Sequence, residues 1–236
     1  MNEKESTYIN ILSLITKDRD RTNILKKQEQ NLIAFLVQRI PKWINSDMLT
    51  GIGMIGTLIT MSSFILAHFY SRTFLLLGIL GFIINWFGDS LDGRLAYYRH
   101  IPRKWYGFSL DFIADWWTNI CIGIGFIIYV NDNFEFLGFT FVVLYGWAMM
   151  MALLRYKIIN KYTIDSGIFG PTEVRILLSI MLVLEVLIED SIIYSSIIAC
   201  LILLLINIKD FRSLLVVADQ RDKQEKQAKE EQVSHE

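Results

Sequence analysis

Four aspartates lie in two closely spaced pairs, each at one end of a long apolar segment. Asp89 and Asp92 close one segment, and Asp111 and Asp115 open the next. Spacings of three and four residues place each pair on one face of a helix. Because carboxylates brought together repel one another unless they are protonated or bind cations, the pattern predicts a site for Mg²⁺, Mn²⁺ or Ca²⁺. The alternative is a cluster of interfacial acids without a ligand.

Two glycines accompany these acids. Gly93 directly follows Asp92, and Gly107 precedes Asp111 by four residues. A glycine beside metal-binding acids lets a ligand approach the backbone closely. An antiparallel hairpin of the two apolar segments would bring the aspartate pairs together.

The segments that carry these residues belong to a membrane protein. Of the 236 residues 53% are hydrophobic, above the roughly 45–50% of average soluble domains, and the mean hydropathy is +0.38. Long apolar blocks approach the ~17–25 residues that cross a hydrocarbon core. The sequence therefore predicts an all-α, polytopic membrane bundle of about six transmembrane helices, at 48–70, 73–90, 110–131, 135–154, 174–188 and 191–208.

The regions outside the bundle are polar or amphipathic. We divide the chain into a polar N-terminal tail (1–21), an amphipathic juxtamembrane helix in the interface (22–45), a six-helix transmembrane domain (46–208) and a charged C-terminal tail (209–236). The part of this last tail from Asp219 to Glu236 is expected to be a frayed helix or disordered. The alternative for 22–45 is a soluble helix packed on a partner.

The basic residues predict the orientation. With both tails on one side, every Lys and Arg except Arg72 lies on that side, which the positive-inside rule makes cytoplasmic. We therefore expect a multi-pass protein with both termini in the cytoplasm, in the plasma (inner) membrane if the source is bacterial.

Other patterns carry no chemistry. The net charge of −1 gives no reason to expect a nucleic-acid partner. Cys121 and Cys200 lie in apolar runs and are expected to pack in the core. The GIGMIG stretch at 51–56 matches the G-x-G-x-x-G motif of a dinucleotide-binding loop. It lies at the start of a predicted membrane span, however, where small residues allow close helix packing.

The aspartate region resembles a known family. The stretches DSLDGRLA at 89–96 and GFSLDFIAD at 107–115 resemble the D-x2-D-G-x2-A-R…G-x3-D-x3-D motif of the CDP-alcohol phosphotransferases. All four aspartates, both glycines and the alanine match. A weaker likeness extends over roughly 22–208.

The resemblance implies a function and its cofactors. It implies transfer of a phosphatidyl or phosphoalcohol group from a CDP-linked donor (CDP-diacylglycerol or a CDP-alcohol) to an alcohol hydroxyl in phospholipid biosynthesis, with release of CMP. Two ions, Mg²⁺ or Mn²⁺, would be held by Asp89, Asp92, Asp111 and Asp115, and Asp115 would also be the general base. A homodimer is a further expectation from the family.

The resemblance also implies contacts to the substrates. Those with the donor nucleotide are expected from Asp47, Thr50, Gly93, Ala96, Arg99 and Gly107. Phosphate contacts are expected from Arg94, Arg103, Lys104, Arg155 and Arg175, all of which equally satisfy the positive-inside rule.

One residue departs from the family motif. Tyr97 stands where the family has an arginine, and Arg94 or Arg99 is expected to compensate. The rival interpretations are a catalytically silent family member and a cation-binding transporter or channel. The sequence leaves open which alcohol is the acceptor, and whether donor or acceptor carries the lipid.

Overall fold

The protein is a bundle of α-helices. The computed structural model describes residues 25–130, 133–159 and 170–234. Within these residues there is no strand, which confirms the all-α membrane bundle. In chain order the helices are α1 (Lys26–Val37), α2 (Ser46–Phe69), α3 (Leu75–Tyr98), α4 (Lys104–Val130), α5 (Phe136–Ile159), α6 (Pro171–Leu187) and α7 (Ser191–Ser234).

Five of the described helical segments are long and apolar enough to cross a membrane. They are Ser46–Phe69, Arg72–Tyr98, Lys104–Val130, Phe136–Ile159 and Ser191–Gln227. The first of these is preceded by Asn45, whose side chain accepts a hydrogen bond from the Met48 N–H at 2.8 Å and so caps the helix. Helix α6 has 17 residues, roughly 26 Å at the usual rise, and packs against α3 and α7.

Helices α2 and α3 form the closest helix pair. A Cβ on Gly56 would overlap the backbone of Asn85, and one on Gly88 would overlap the backbone of Gly53. Only glycine permits two backbones to lie this near. The GIGMIG stretch therefore acts in helix packing, as the sequence predicted for Gly53 and Gly56, whereas Gly51 faces open space.

Helix α2 also packs along α4, while α3 and α4 make few contacts with each other in the described part of the chain. The predicted hairpin is therefore open, with α2 on one side of the gap and α6 packed against α3. This opening lies where the aspartates of α3 and α4 face each other.

Helix α1 is shorter than the predicted 22–45 within the described residues, and it is anchored to the bundle. Ile33, Ala34 and Val37 are buried against Leu91 and Leu95 of α3. The Arg99 guanidinium donates to the carbonyls of residues 40, 41 and 44, which follow α1. At the other end, the Leu25 N–H donates to Glu173 Oε1 of α6 at 3.0 Å.

Helix α7 continues far beyond the predicted end of its span. It has 44 residues and reaches Ser234, whereas the sequence predicted a span that ends at 208 and a frayed helix or disorder from Asp219 onward. Its extension is held to the end of α5: Arg155 pairs with Asp210 at 3.8 Å, and Arg221 donates to the carbonyls of Lys157 and Ile158. The last carbonyls of a helix have no hydrogen-bond donor within the helix, and a basic side chain supplies one at the end of α5.

Candidate metal centre and adjoining cavity

Three of the predicted aspartates come together between α3 and α4. Asp89, Asp111 and Asp115 each place one carboxylate oxygen within 4.8 Å of the others. Asp89 lies on α3 and the other two on α4. All three are half-buried, so the group is accessible to an ion from the aqueous side.

Asp92 lies one turn beyond Asp89 and is held differently. Its side chain is buried, with Oδ2 accepting from the Thr50 hydroxyl at 2.6 Å and Oδ1 accepting from the Gly93 N–H. Thr50 belongs to α2. The close packing of α2 on α3 therefore orients this fourth carboxylate.

A cation from α6 meets the acidic group. Arg175 Nη2 donates to Asp89 Oδ2 at 2.8 Å, and Arg175 Nε donates to Asn85 Oδ1 at 2.8 Å. Both side chains of the ion pair are mostly buried. Glu173, in the first turn of the same helix, accepts from the Gly170 N–H at 3.0 Å and so fixes the start of α6.

The donor set fits a hard divalent cation. Three carboxylates offer oxygen ligands only, as Mg²⁺ and Mn²⁺ prefer. Carboxylates this close together repel one another, and a bound divalent cation would relieve that repulsion. Asp89, Asp111 and Asp115 are thus the residues that could hold a metal ion, with Asp92 adjacent on the same helix.

A polar cavity opens beside this group. It encloses about 420 Å³ including its mouth, and its polar lining comprises Asn85, Asp115, Thr118, Asn119, Tyr145 and Arg175. Of the four motif aspartates, Asp115 alone lines it. The hydroxyl groups of Thr118 and Thr57 share a hydrogen bond of 2.8 Å, and Asn119 Nδ2 donates to the Val142 carbonyl at 3.2 Å.

The structure separates the predicted basic residues into different environments. Arg175 pairs with the motif aspartate Asp89. Arg103 pairs with Asp47, and Arg94 is buried with a bond to the Ser90 carbonyl at 2.9 Å. The remaining three make other contacts. Arg99 donates hydrogen bonds to the loop after α1, Arg155 forms an ion pair with Asp210, and the Lys104 ammonium lies over the Trp105 ring.

The motif glycines differ in their surroundings. A Cβ on Gly107 would meet nothing within 4 Å, so this position leaves space for a ligand at the start of α4. Gly93 follows the buried Asp92 and donates to it. Ala96 is half-buried in the last turns of α3.

Four polar cavity residues were not predicted from the sequence: Asn85, Thr118, Asn119 and Tyr145. Asn85 precedes Asp89 by four residues and Asn119 follows Asp115 by four, which places each on the face of its aspartate. A polar residue inside an apolar span at that spacing is a usable signal. Tyr145 of α5 carries no comparable signal, because its neighbours Asp115 and Arg175 are distant in sequence.

The motif, the open pair of helices and the acidic group agree with the comparison to known families. A profile of the CDP-alcohol phosphatidyltransferase family matches residues 43–211. This range is most of the chain and includes all four aspartates, so the protein belongs to the CDP-alcohol phosphatidyltransferase family. A comparison with curated proteins gave no match.

Membership of the family defines the class of activity. The family comprises transferases of phosphate-containing groups that use a CDP-alcohol donor and an alcohol acceptor, generally with divalent metal. The chain is therefore a membrane protein of this transferase class.

Proposed function

We propose that the protein is an active phospholipid-synthesising transferase that moves a phosphatidyl or phosphoalcohol group from a CDP-linked donor to an alcohol, releasing CMP. The observation that carries this proposal is the convergence of Asp89, Asp111 and Asp115 within 4.8 Å. A catalytically silent member would have no need to keep this group open to solvent and beside a polar cavity. The lack of the family arginine at Tyr97 is the argument for a silent member.

The metal site of the proposal uses the motif aspartates. Asp89, Asp111 and Asp115, with Asp92 alongside, would hold two ions of Mg²⁺ or Mn²⁺. When bound, such ions neutralise the pyrophosphate of the donor and the charge that develops on its oxygens. The hydrogen bond from the Thr50 hydroxyl orients the Asp92 carboxylate, and the hydrogen bond from Arg175 orients the Asp89 carboxylate.

Asp115 is the general base of the proposal. Its carboxylate lies at the junction of the acidic group and the polar cavity. An acceptor hydroxyl in that cavity would lose its proton to Asp115 while its oxygen attacks the phosphorus distal to the cytidine. The bond from that phosphorus to the bridging oxygen breaks, and CMP leaves with the electron pair.

The donor side of the proposal lies toward the ends of α3 and α4. Gly107 leaves room for the nucleotide, with Gly93, Ala96, Asp47 and Thr50 around it. Arg103, ion-paired with Asp47 at an exposed position, is available to the donor phosphates if that pair exchanges. Arg99 donates to the loop after α1, and Arg94 is buried with a bond to the Ser90 carbonyl. We therefore assign the compensation for Tyr97 to Arg103.

The test is CMP release by the purified protein. CDP-diacylglycerol, CDP-choline and CDP-ethanolamine are each supplied with Mg²⁺ or Mn²⁺ and a mixture of acceptors. We expect CMP from one donor class, its loss on chelation, and a fall of roughly 10²–10⁴-fold in Asp115→Asn. The control is Asp219→Asn, an exposed aspartate paired with Lys223 on the extension of α7.

The possible outcomes separate the hypotheses. Metal-dependent CMP release that survives in Asp115→Asn would contradict the role of that residue. No CMP from any donor, with metal still raising the melting temperature, would favour the silent member. Metal-dependent ion flux without CMP would favour the transporter.

A further inference from the structure

We propose that the acceptor alcohol carries a long aliphatic chain, and that this chain extends from Asp115 into an apolar cavity at the centre of the bundle. The inference rests on the proposed function and names the substrate class of the same site. It assigns the lipid to the acceptor, and so favours a water-soluble alcohol on the CDP-linked donor.

The apolar cavity adjoins the polar one. The two share four lining side chains: Phe82, Ile122, Phe141 and Leu178. Phe82 precedes Asp89 by seven residues, and Ile122 follows Asp115 by seven. At the helical rise this places the junction roughly 10 Å from the carboxylates, further along the axis of the bundle. A molecule with its hydroxyl at Asp115 can therefore continue into the second cavity.

The second cavity has the chemistry of a hydrocarbon site. The empty space between its lining side chains, counted together with the open space at its mouth, is about 520 Å³, and helices α2 to α7 all contribute to its lining. Ser196 and Cys200 are its most polar side chains; the others include Phe64, Phe126, Leu137, Met181, Leu182 and Ile192. A polyol or a phosphate placed there would lose its hydrogen bonds to water without replacement. An acyl chain loses none and gains from burial.

Two buried polar atoms lie in the wall of the polar cavity above this junction. Asn119 is 3% exposed, and its Oδ1 has no hydrogen-bond partner among the described residues. Arg175 Nη1 is likewise buried without a partner there. Because buried polar groups are normally paired, both atoms are open to a hydrogen bond with water or with a ligand in the cavity. Asn119 can accept from a hydroxyl, and Arg175 can donate to an ester oxygen, the two groups that a diacylglycerol carries.

The position of Asp115 assigns the chain to the acceptor rather than to the donor. Asp115 lines the polar cavity, whereas Asp89, Asp92 and Asp111 do not. The group that meets the proposed base is the hydroxyl that loses its proton. The pyrophosphate and cytidine of the donor belong with the other aspartates and the open position at Gly107.

The experiment compares acceptors in a wild-type protein and in one whose cavity is filled. Diacylglycerol, glycerol phosphate, inositol phosphate and serine are offered separately, and CMP is measured. Ala199→Phe places a ring in the apolar cavity from α7. The matched control is Ile198→Phe, the adjacent residue, which is 58% exposed on the outside of the bundle. Ala199→Leu is a milder variant if the ring prevents folding.

We expect CMP with diacylglycerol. Filling the cavity should lower kcat/KM for diacylglycerol by roughly tenfold or more, with no change in Ile198→Phe and an unchanged metal-induced rise in melting temperature. CMP with water-soluble acceptors alone, or equal activity of the two phenylalanine variants, would overturn the inference while leaving the proposed function intact.

A diacylglycerol with a photoreactive group in mid-chain gives a readout that needs no turnover. Labelling at Met181 or Cys200 supports the inference even if no CMP forms, in which case the proposed function alone has failed. Labelling confined to exposed side chains such as Ile198 and Leu201 overturns the inference.

Discussion

The Thr50 hydroxyl shows how a residue outside the motif determines the position of one inside it. It donates to Asp92 at 2.6 Å across the contact between α2 and α3. Both side chains are buried, so water cannot easily replace the bond. The orientation of Asp92 relative to the other carboxylates therefore depends on a helix that carries no motif aspartate.

The change Thr50→Val keeps the shape of the side chain and removes the donor. Because groups that orient metal ligands typically affect metal affinity by 10–100-fold, the Mg²⁺ concentration for half-maximal activity should rise by roughly tenfold or more. Thr50→Ser retains the hydroxyl and should behave nearly as wild type. The check is a metal titration of CMP release; equal midpoints for the valine and serine variants would show that the bond does not orient Asp92.

Replacement of Arg175 tests the balance of charge at the acidic group. Arg175→Gln removes the cation beside Asp89, which leaves the carboxylates more repulsive and a divalent ion more favoured. The protein without metal should lose about 1–3 kcal/mol of stability, and added Mg²⁺ should raise its melting temperature more than that of wild type. A smaller metal-induced rise than in wild type would contradict this account. Arg155→Gln, at the more distant pair with Asp210, is the control.

The residues of the site differ in how far the sequence could predict them. The aspartate spacing predicted the acidic group, and Asn85 and Asn119 could have been added from their four-residue offsets. Tyr145 and the pairing of Arg175 with Asp89 could not, because α5 and α6 reach the site through tertiary packing. The interaction of Arg99 with the loop after α1 also could not be predicted, because it too depends on tertiary packing.

At the scale of elements, the contact between α2 and α3 is the one on which the site most depends. Their backbones meet at glycines, with Gly88 against Gly53 and Gly56 against Asn85. This contact places Thr50 beside Asp92. The long apolar blocks predicted that these helices exist, whereas the glycine pattern alone did not show which partner helix each glycine contacts.

Gly88→Ala should disrupt this contact. The added methyl group would overlap the backbone of α2, and overpacking of this kind costs about 1–3 kcal/mol. Gly51→Ala is the matched control, since a Cβ there meets nothing within 4 Å. Melting temperatures in detergent provide the measurement. Similar melting temperatures for the two variants would refute the close approach of the helices.

Helix boundaries were the least predictable elements. Helix α4 begins at Lys104 rather than near 110, and α7 extends to Ser234. The polar end of α7 carries ion pairs four residues apart, Arg221–Glu225 and Lys223–Asp219, which support a solvated helix. Arg155 and Arg221 form its contacts with the end of α5. A hydropathy profile cannot predict such tertiary contacts.

At the scale of the whole molecule, the aspartates and the extension of α7 lie at one end of the bundle. The turn between α6 and α7 lies at the other, where Glu189 pairs with Arg72 at 3.3 Å. We propose that the first end is cytoplasmic, from the distribution of Lys and Arg. In that orientation the acidic group faces the compartment that contains nucleotides.

Labelling of introduced cysteines tests the orientation. In a protein whose two native cysteines are replaced by alanine, Glu189→Cys and Gln224→Cys place single thiols at exposed positions at opposite ends. An impermeant maleimide added to intact cells should label the first and not the second. After permeabilisation both should react. Labelling of Gln224→Cys in intact cells would contradict the proposed orientation.

The central claim is that the phosphorus distal to the cytidine moves to an alcohol. The most direct test is a CDP-linked donor with radioactive phosphorus at that distal position, incubated with the protein, Mg²⁺ and diacylglycerol. We expect label in a phospholipid and unlabelled CMP in equal amount, with both products reduced by roughly 10²–10⁴-fold in Asp115→Asn. Label recovered in CMP, or in a free phosphoalcohol at the same rate with and without an acceptor, would contradict it.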